Sequence, residues 1–146
     1  MRILGVDYGD RHIGLALSDP LFITAQPLAS YALTGREEDD GAFFRELVAK
    51  HDVSEIVVGN PLRMDGSSGT RTDTTRRFAA WLERTVGRPV VLVDERLTTQ
   101  QALKTLGDGK LRGRRKKDWE DRIAAVIILS TYLERKRGEA GVHKDD

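Results

Sequence analysis

Ile3, Leu4 and Val6, then Ile13, Leu15, Ala16 and Leu17, form two short apolar runs at the start of the chain. They predict strands over 2–7 and 12–18, joined by a polar turn at "YGDR". A third strand is expected around Leu28 to Leu33, after Pro27. "REEDDGAFFRELVAKHD" then changes to helical spacing, with Phe43, Phe44, Leu47 and Val48 on one face. Gly41 weakens that helix slightly. "SEIVVGN" reads as a strand ending in Gly59, and "PLRMDGSSGTRTD" as a loop. A second helix carries Phe78, Ala79, Trp81, Leu82 and Val86 and stops near Gly87 and Pro89. "PVVLVDE" is another buried-type strand, and "TTQQALKTL" a short helix ending at Gly107. A basic loop follows, then a last helix from about Asp118 to Arg135. The expectation is one domain over 1–137 and a flexible C-terminal tail over 138–146.

Three initial strands suit an antiparallel meander. The later strands are separated by helices, which implies parallel pairing through right-handed crossovers. The expected class is therefore α/β: a mixed five-stranded sheet, three antiparallel strands then parallel ones, with helices on both faces.

Several acids stand where an apolar pattern stops. Asp7 ends the first run, and burying an unpaired carboxylate there would be costly. "VLVDERLTT" ends another strand in Asp94 and Glu95, where alternation puts Glu95 with Val91 and Val93 and Asp94 on the other face. On the last helix Asp121, Ala124, Ala125, Ile128 and Tyr132 form one stripe, so Asp121 opens the face turned to the sheet. Small residues at 124 and 125 would let that end approach closely. The plainer account makes Asp118 an N-cap and Asp121 its N3 partner in a capping box. Acids gathered at one place repel one another unless a cation neutralises them. Oxygen-only ligands suit Mg²⁺ or Mn²⁺, and such a site can activate water against a phosphodiester.

The chain has 146 residues and no cysteine, so disulfides and thiolate metal sites are excluded. No apolar run is long enough for a membrane span, and the N-terminus lacks a signal-peptide pattern, so a cytoplasmic location is expected. Net charge is only +1, yet "EEDD" at 37–40 is acidic and "KLRGRRKK" at 110–117 strongly basic. Such a basic run is either a solvated loop or a patch for a polyanion.

Four blocks in order, "GVDYGDRHIGLALSD", "VVGNPLRMDGSSG", "DERLTTQQA" and "DRIAAVIIL", resemble the YqgF family from residue 2 to about 135. These are RNase H-like proteins described as Holliday junction resolvases or pre-16S rRNA nucleases. The resemblance implies an RNase H-like fold and a catalytic, metal-binding set of Asp7, Glu95 and Asp121. Related resolvases carry a fourth acid in the last helix three residues from its neighbour, a spacing that Asp118 has to Asp121. Asp118 is therefore either a cap or an auxiliary ligand. Asn60 stands in a slot often apolar in the family.

The function expected is a nuclease acting on structured nucleic acid, in maturation of pre-16S ribosomal RNA. The alternatives are a DNA junction resolvase and a catalytically silent nucleic-acid-binding module. Partners are a ribosomal RNA precursor or branched DNA, with the protein a monomer or homodimer and no membrane contact. Arg96, beside Glu95, and Arg112, Arg114, Arg115, Lys116 and Lys117 are the candidate phosphate contacts. Arg63 and Arg71 read equally as phosphate contacts or as surface and ion-pair residues. Gly5 and Gly9 allow a turn or close approach. "GSSGTRT" lacks a P-loop lysine. His12, His51 and His143 show no ligand spacing, and Trp81 and Trp119 read as packing residues.

Overall fold

The first two strands, β1 (Arg2–Tyr8) and β2 (His12–Ser18), pair antiparallel, and the Gly9 amide donates to the His12 carbonyl to close the turn. β3 (Ala25–Ala32) adds antiparallel to β2. It begins before Pro27, earlier than expected. Pro is tolerated there because β3 is an edge strand. Helix α1 (Glu37–Lys50) leads to β4 (Val53–Asn60), which lies parallel to β1. Helix α2 (Thr70–Val86) leads to β5 (Val90–Asp94), parallel to β4. The last helix, α3, spans Arg114–Lys144. The sheet order is β3-β2-β1-β4-β5. This is the expected five-stranded mixed sheet. The computed structural model describes residues 1–9, 11–60, 70–94 and 114–144; the side chains of 70, 71, 114–119 and 139–144 are not among those described. The helix expected over "TTQQALKTL" lies outside the described residues.

Alternation divides the core in two. Leu4, Val6, Ile13, Leu15, Ile56 and Val58 pack with Phe44, Val48, Phe78 and Leu82 from α1 and α2. Ile3, Ala16, Val57 and Val93 pack on the other face with Ala125, Ile128, Leu129 and Leu133 from α3. The expected stripe from Asp121 to Tyr132 is buried throughout.

Three further boundaries differ from those expected. The loop expected to run to Asp73 gives way to helix at Thr70. α3 continues to Lys144, beyond Arg135. It also starts four residues before Asp118, so Asp118 lies inside the helix and is not its N-cap, nor is Asp121 an N3 residue. Arg and Lys are good helix formers and propagate the helix backwards. The dipole alone would favour a start at the acids, since acids at a first turn complement it and cations oppose it; helix propensity outweighs it here.

The acidic block 37–40 is the first turn of α1, where negative charge is favourable. Asp40 is buried, at 6% exposure. Its Oδ1 accepts hydrogen bonds from the Tyr31 hydroxyl at 2.6 Å, the Thr34 hydroxyl at 2.9 Å and the Thr34 amide at 3.1 Å. Burial alone would raise the Asp40 pKa, but the hydrogen bonds from Tyr31, Thr34 and Gly35 outweigh it and hold the carboxyl below its ordinary value. Burial and the neighbouring carboxylate push the Tyr31 phenol up to about 12. A depressed folded pKa means the stabilisation is present above the unfolded value, about 4, and is lost as pH falls through the folded pKa. Asp40→Ala should cost about 1 kcal/mol at pH 7, since it removes a buried acceptor from the half-buried Tyr31 hydroxyl and from the exposed Thr34. In urea melts at pH 7 and pH 3 the variant should approach wild type at the lower pH. A constant difference would contradict the ionised network.

Candidate active site

Asp7 is the penultimate residue of β1 and is half-buried. β1 turns Leu4 and Val6 toward α1 and α2, and Ile3, Gly5 and Asp7 toward α3. The cross-strand partner of Asp7 is Gly14 on β2. Directly opposed residues share a sheet face, so Gly14 also looks toward α3. There the helix backbone comes down on the sheet. A Cβ built on Gly14 would lie 1.8 Å from the Asp121 carbonyl oxygen. The missing side chain is the space that Asp121 occupies. Ala124 and Ala125, buried beside it, keep the rest of the helix low. Asp121 itself is 7% exposed.

Two acids expected at the site are thus brought to the same end of the same face. Asp7 comes from a strand and Asp121 from the helix crossing its neighbour. Glu95, the third, immediately follows the last residue of β5 and lies outside the described residues, as do Arg96 and Arg112. Arg114, Arg115, Lys116 and Lys117 form the first turn of α3, not a loop. Asp118 is one turn before Asp121. Only the backbone of these five residues is described. Among the described residues, no group of three acids or histidines comes together to hold a metal.

Asn60 and Asp94 lie side by side at the ends of β4 and β5. Val58 and Leu92, two residues before them, pack on the α1/α2 side. Alternation therefore puts both residues on that side, away from Asp7. Asn60 is 7% exposed, and among the described residues its Oδ1 has no hydrogen-bond partner.

Gly14 is the site residue that the sequence alone does not reveal. A lone glycine inside an apolar strand already signals close approach of another backbone, but nothing in the sequence shows which backbone.

A family model described as "RuvX: Holliday junction resolvase" matches residues 1–135. The chain belongs to the RuvX family. This agrees with the resemblance carried by the four sequence blocks. Curated relatives of this RuvX-family chain are named "Putative pre-16S rRNA nuclease". One, from Koribacter versatilis, is 42% identical over 135 residues, covering 92% of this chain and 88% of the relative. Another, from Moorella thermoacetica, is 44% identical over 142 residues, covering 97% of this chain and all of the relative (100%). Among solved structures, Thermus thermophilus RuvC in complex with a Holliday junction substrate aligns with a TM-score of 0.55 at 16% identity. That alignment covers 94% of this chain and 96% of RuvC. It shows the fold, which is RNase H-like. No helix among the described residues is long and apolar enough to cross a membrane.

Proposed function

We propose that this protein is a divalent-metal-dependent nuclease that cleaves phosphodiester bonds in structured nucleic acid, with precursor 16S ribosomal RNA as its substrate in the cytoplasm. The observation that carries this reading is the seating of Asp121 on bare Gly14, beside Asp7, in a chain whose relatives are named as nucleases. Asp7, Glu95 and Asp121 form the catalytic set. Glu95 is the third member by the family resemblance of the block "DERLTTQQA". Asp118 is an auxiliary ligand candidate, one helical turn from Asp121.

The donor set fits a hard cation. Asp7 and Asp121 offer carboxylate oxygens only, and the chain contains no cysteine; such donors suit Mg²⁺ or Mn²⁺. When bound, the cation supplies Lewis acidity toward the phosphodiester and its attacking water. Asp7 on β1 and Asp121 on α3 would hold it, and their charges would then be offset by the cation.

Arg114, Arg115, Lys116 and Lys117 oppose the dipole at the start of α3. They give up helix stability there but add to the positive end of the helix, which favours a polyanion. Arg96 and Arg112 extend the same proposal. Replacing Arg114, Arg115, Lys116 and Lys117 with Ala should weaken nucleic-acid binding and lower the log–log salt slope by about one per lost phosphate contact. An unchanged slope would make the run a solvated surface.

The deciding experiment presents precursor 16S rRNA and a four-way DNA junction to the protein with Mn²⁺. Cleavage of the RNA is expected. Cleavage of the junction alone would make the protein a DNA resolvase. Failure to cut either, with no Mg²⁺ binding by calorimetry, would make it a silent binding module.

A further inference from the structure

The sheet carries a concave surface at the same end as Asp7, on the α1/α2 side. It is a groove of about 700 Å³. Its wall includes Tyr8, Phe78 and Trp81. Tyr8 stacks on Phe78 with ring centroids 4.3 Å apart, and Trp81 lies 5.8 Å from Phe78. Tyr8 and Trp81 remain half-buried. Arg11, His12 and Arg77 also line it, and all three are exposed. Among the described residues neither guanidinium is held in an ion pair. Two acids are present as well. Asp40 is turned into its hydrogen bonds with Tyr31 and Thr34, while Glu37 is exposed.

Aromatic surface edged by arginines is the chemistry that holds an unpaired nucleotide, with the base against the rings and the phosphate on the guanidinium groups. The position matters equally. Tyr8 follows Asp7 directly in β1, and alternation places their side chains on opposite faces of the sheet. Arg11 and His12 lie at the far end of the hairpin turn that separates the two sites. A strand crossing the tip of the β1–β2 hairpin passes from one face to the other.

The geometry points to this groove as a subsite for a single-stranded nucleotide flanking the cleavage point, a role that rests on the nuclease reading above. The occupant is a nucleotide of the substrate strand. The enzyme thereby selects substrates with an unpaired segment beside the scissile bond. Trp81, whose packing against Phe44 and Phe78 fits the role expected from sequence, then also serves as a binding surface.

The test is binding of a 12-nucleotide RNA and of its 12-base-pair duplex in EDTA, where cleavage cannot occur. The Arg11→Ala/Arg77→Ala variant should bind the single strand roughly tenfold more weakly. Its salt slope should fall by about 1.4, the value for two phosphates on a single strand. Duplex binding should change by less than about twofold, and so should single-strand binding by Lys50→Ala/Arg84→Ala, which removes two exposed charges outside the groove. An oligonucleotide carrying 5-iodouridine should photo-crosslink to a peptide containing Tyr8 or Trp81. Equal losses on both substrates, equal losses in both variants, or crosslinks confined to other peptides would overturn the groove assignment. Cleavage in Mn²⁺ is scored separately. A wild-type protein that cuts RNA while the groove variant binds normally retains the active-site reading and loses the groove. A groove that binds strand in a protein that cuts nothing retains the groove and loses the active site.

Discussion

Asp7→Asn is expected to abolish metal-dependent cleavage while leaving the fold intact. The substitution keeps the shape of the side chain and does not disturb the β1–β2 ladder, where position 7 pairs with Gly14. It removes one charge from the carboxylates that would face the cation. A metal ion contributes several kcal/mol to transition-state charge stabilisation. At 1.36 kcal/mol per decade, losing its proper placement costs on the order of 10³-fold in rate. Stability should separate this from a folding defect. Without metal, the variant carries one negative charge fewer at the proposed site, so it should melt at the same temperature as wild type or slightly above. With Mg²⁺ at about 100 times its Kd, wild type should gain about 2.7 kcal/mol by mass action, and the variant much less. Unchanged cleavage, or an undiminished Mg²⁺ stabilisation, would remove Asp7 from the site.

The sequence makes Asp7 conspicuous because a carboxylate at the end of an apolar run has no place in a core. The same kind of signal, hydrophobic period, makes the strands and the faces of α1, α2 and α3 legible. The stripe from Asp121 through Ala124, Ala125 and Ile128 to Tyr132 is buried as its spacing implies. Local charge is a poorer guide. The acids of "DWED" suit a helix N-terminus better than the cations of "RRKK", yet α3 begins at the cations. Asp40 misleads for the opposite reason. In an acidic run it resembles a solvated residue, but Tyr31 and Thr34 reach it from the end of β3 and the turn beyond, contacts that no local pattern encodes. The groove is invisible in the sequence too. Tyr8, Arg11, Arg77 and Trp81 are assembled from two strand ends and a helix 60 or more positions away, and their relation exists only in the folded chain. Glycine 14 stands between these cases. Its position in a strand announces a close approach, while the identity of the approaching group depends on how α3 crosses the sheet.

That crossing gives the second large effect. Gly14→Ala should damage both the stability and the activity of the protein, although alanine is smaller than every apolar neighbour in β2 except Ala16. A Cβ at position 14 would lie 1.8 Å from the Asp121 carbonyl oxygen and 2.4 Å from its carbonyl carbon. The obstacle is backbone, so no rotamer change relieves it, and α3 must lift or slide. Overpacking commonly costs about 1–3 kcal/mol, and a clash with an immobile helix places this change at the upper end. Any shift that relieves it displaces the Asp121 backbone from its seat on the strand. Activity should therefore fall by on the order of 10²-fold, the penalty associated with a misplacement of about 1 Å. Gly5→Ala is the informative comparison. Its Cβ would meet Leu129 Cβ at 2.8 Å and the Ala125 carbonyl at 2.9 Å, a milder conflict one helical turn further along α3. It should destabilise as well, but distort the Asp7–Asp121 pair less. Urea melts and cleavage rates on the two variants check this together. If α3 is the element that fixes the site, Gly14→Ala loses more activity than Gly5→Ala per unit of stability lost. Equal ratios would mean that both glycines serve packing alone and that Asp121 owes its position to something other than the bare strand beneath it.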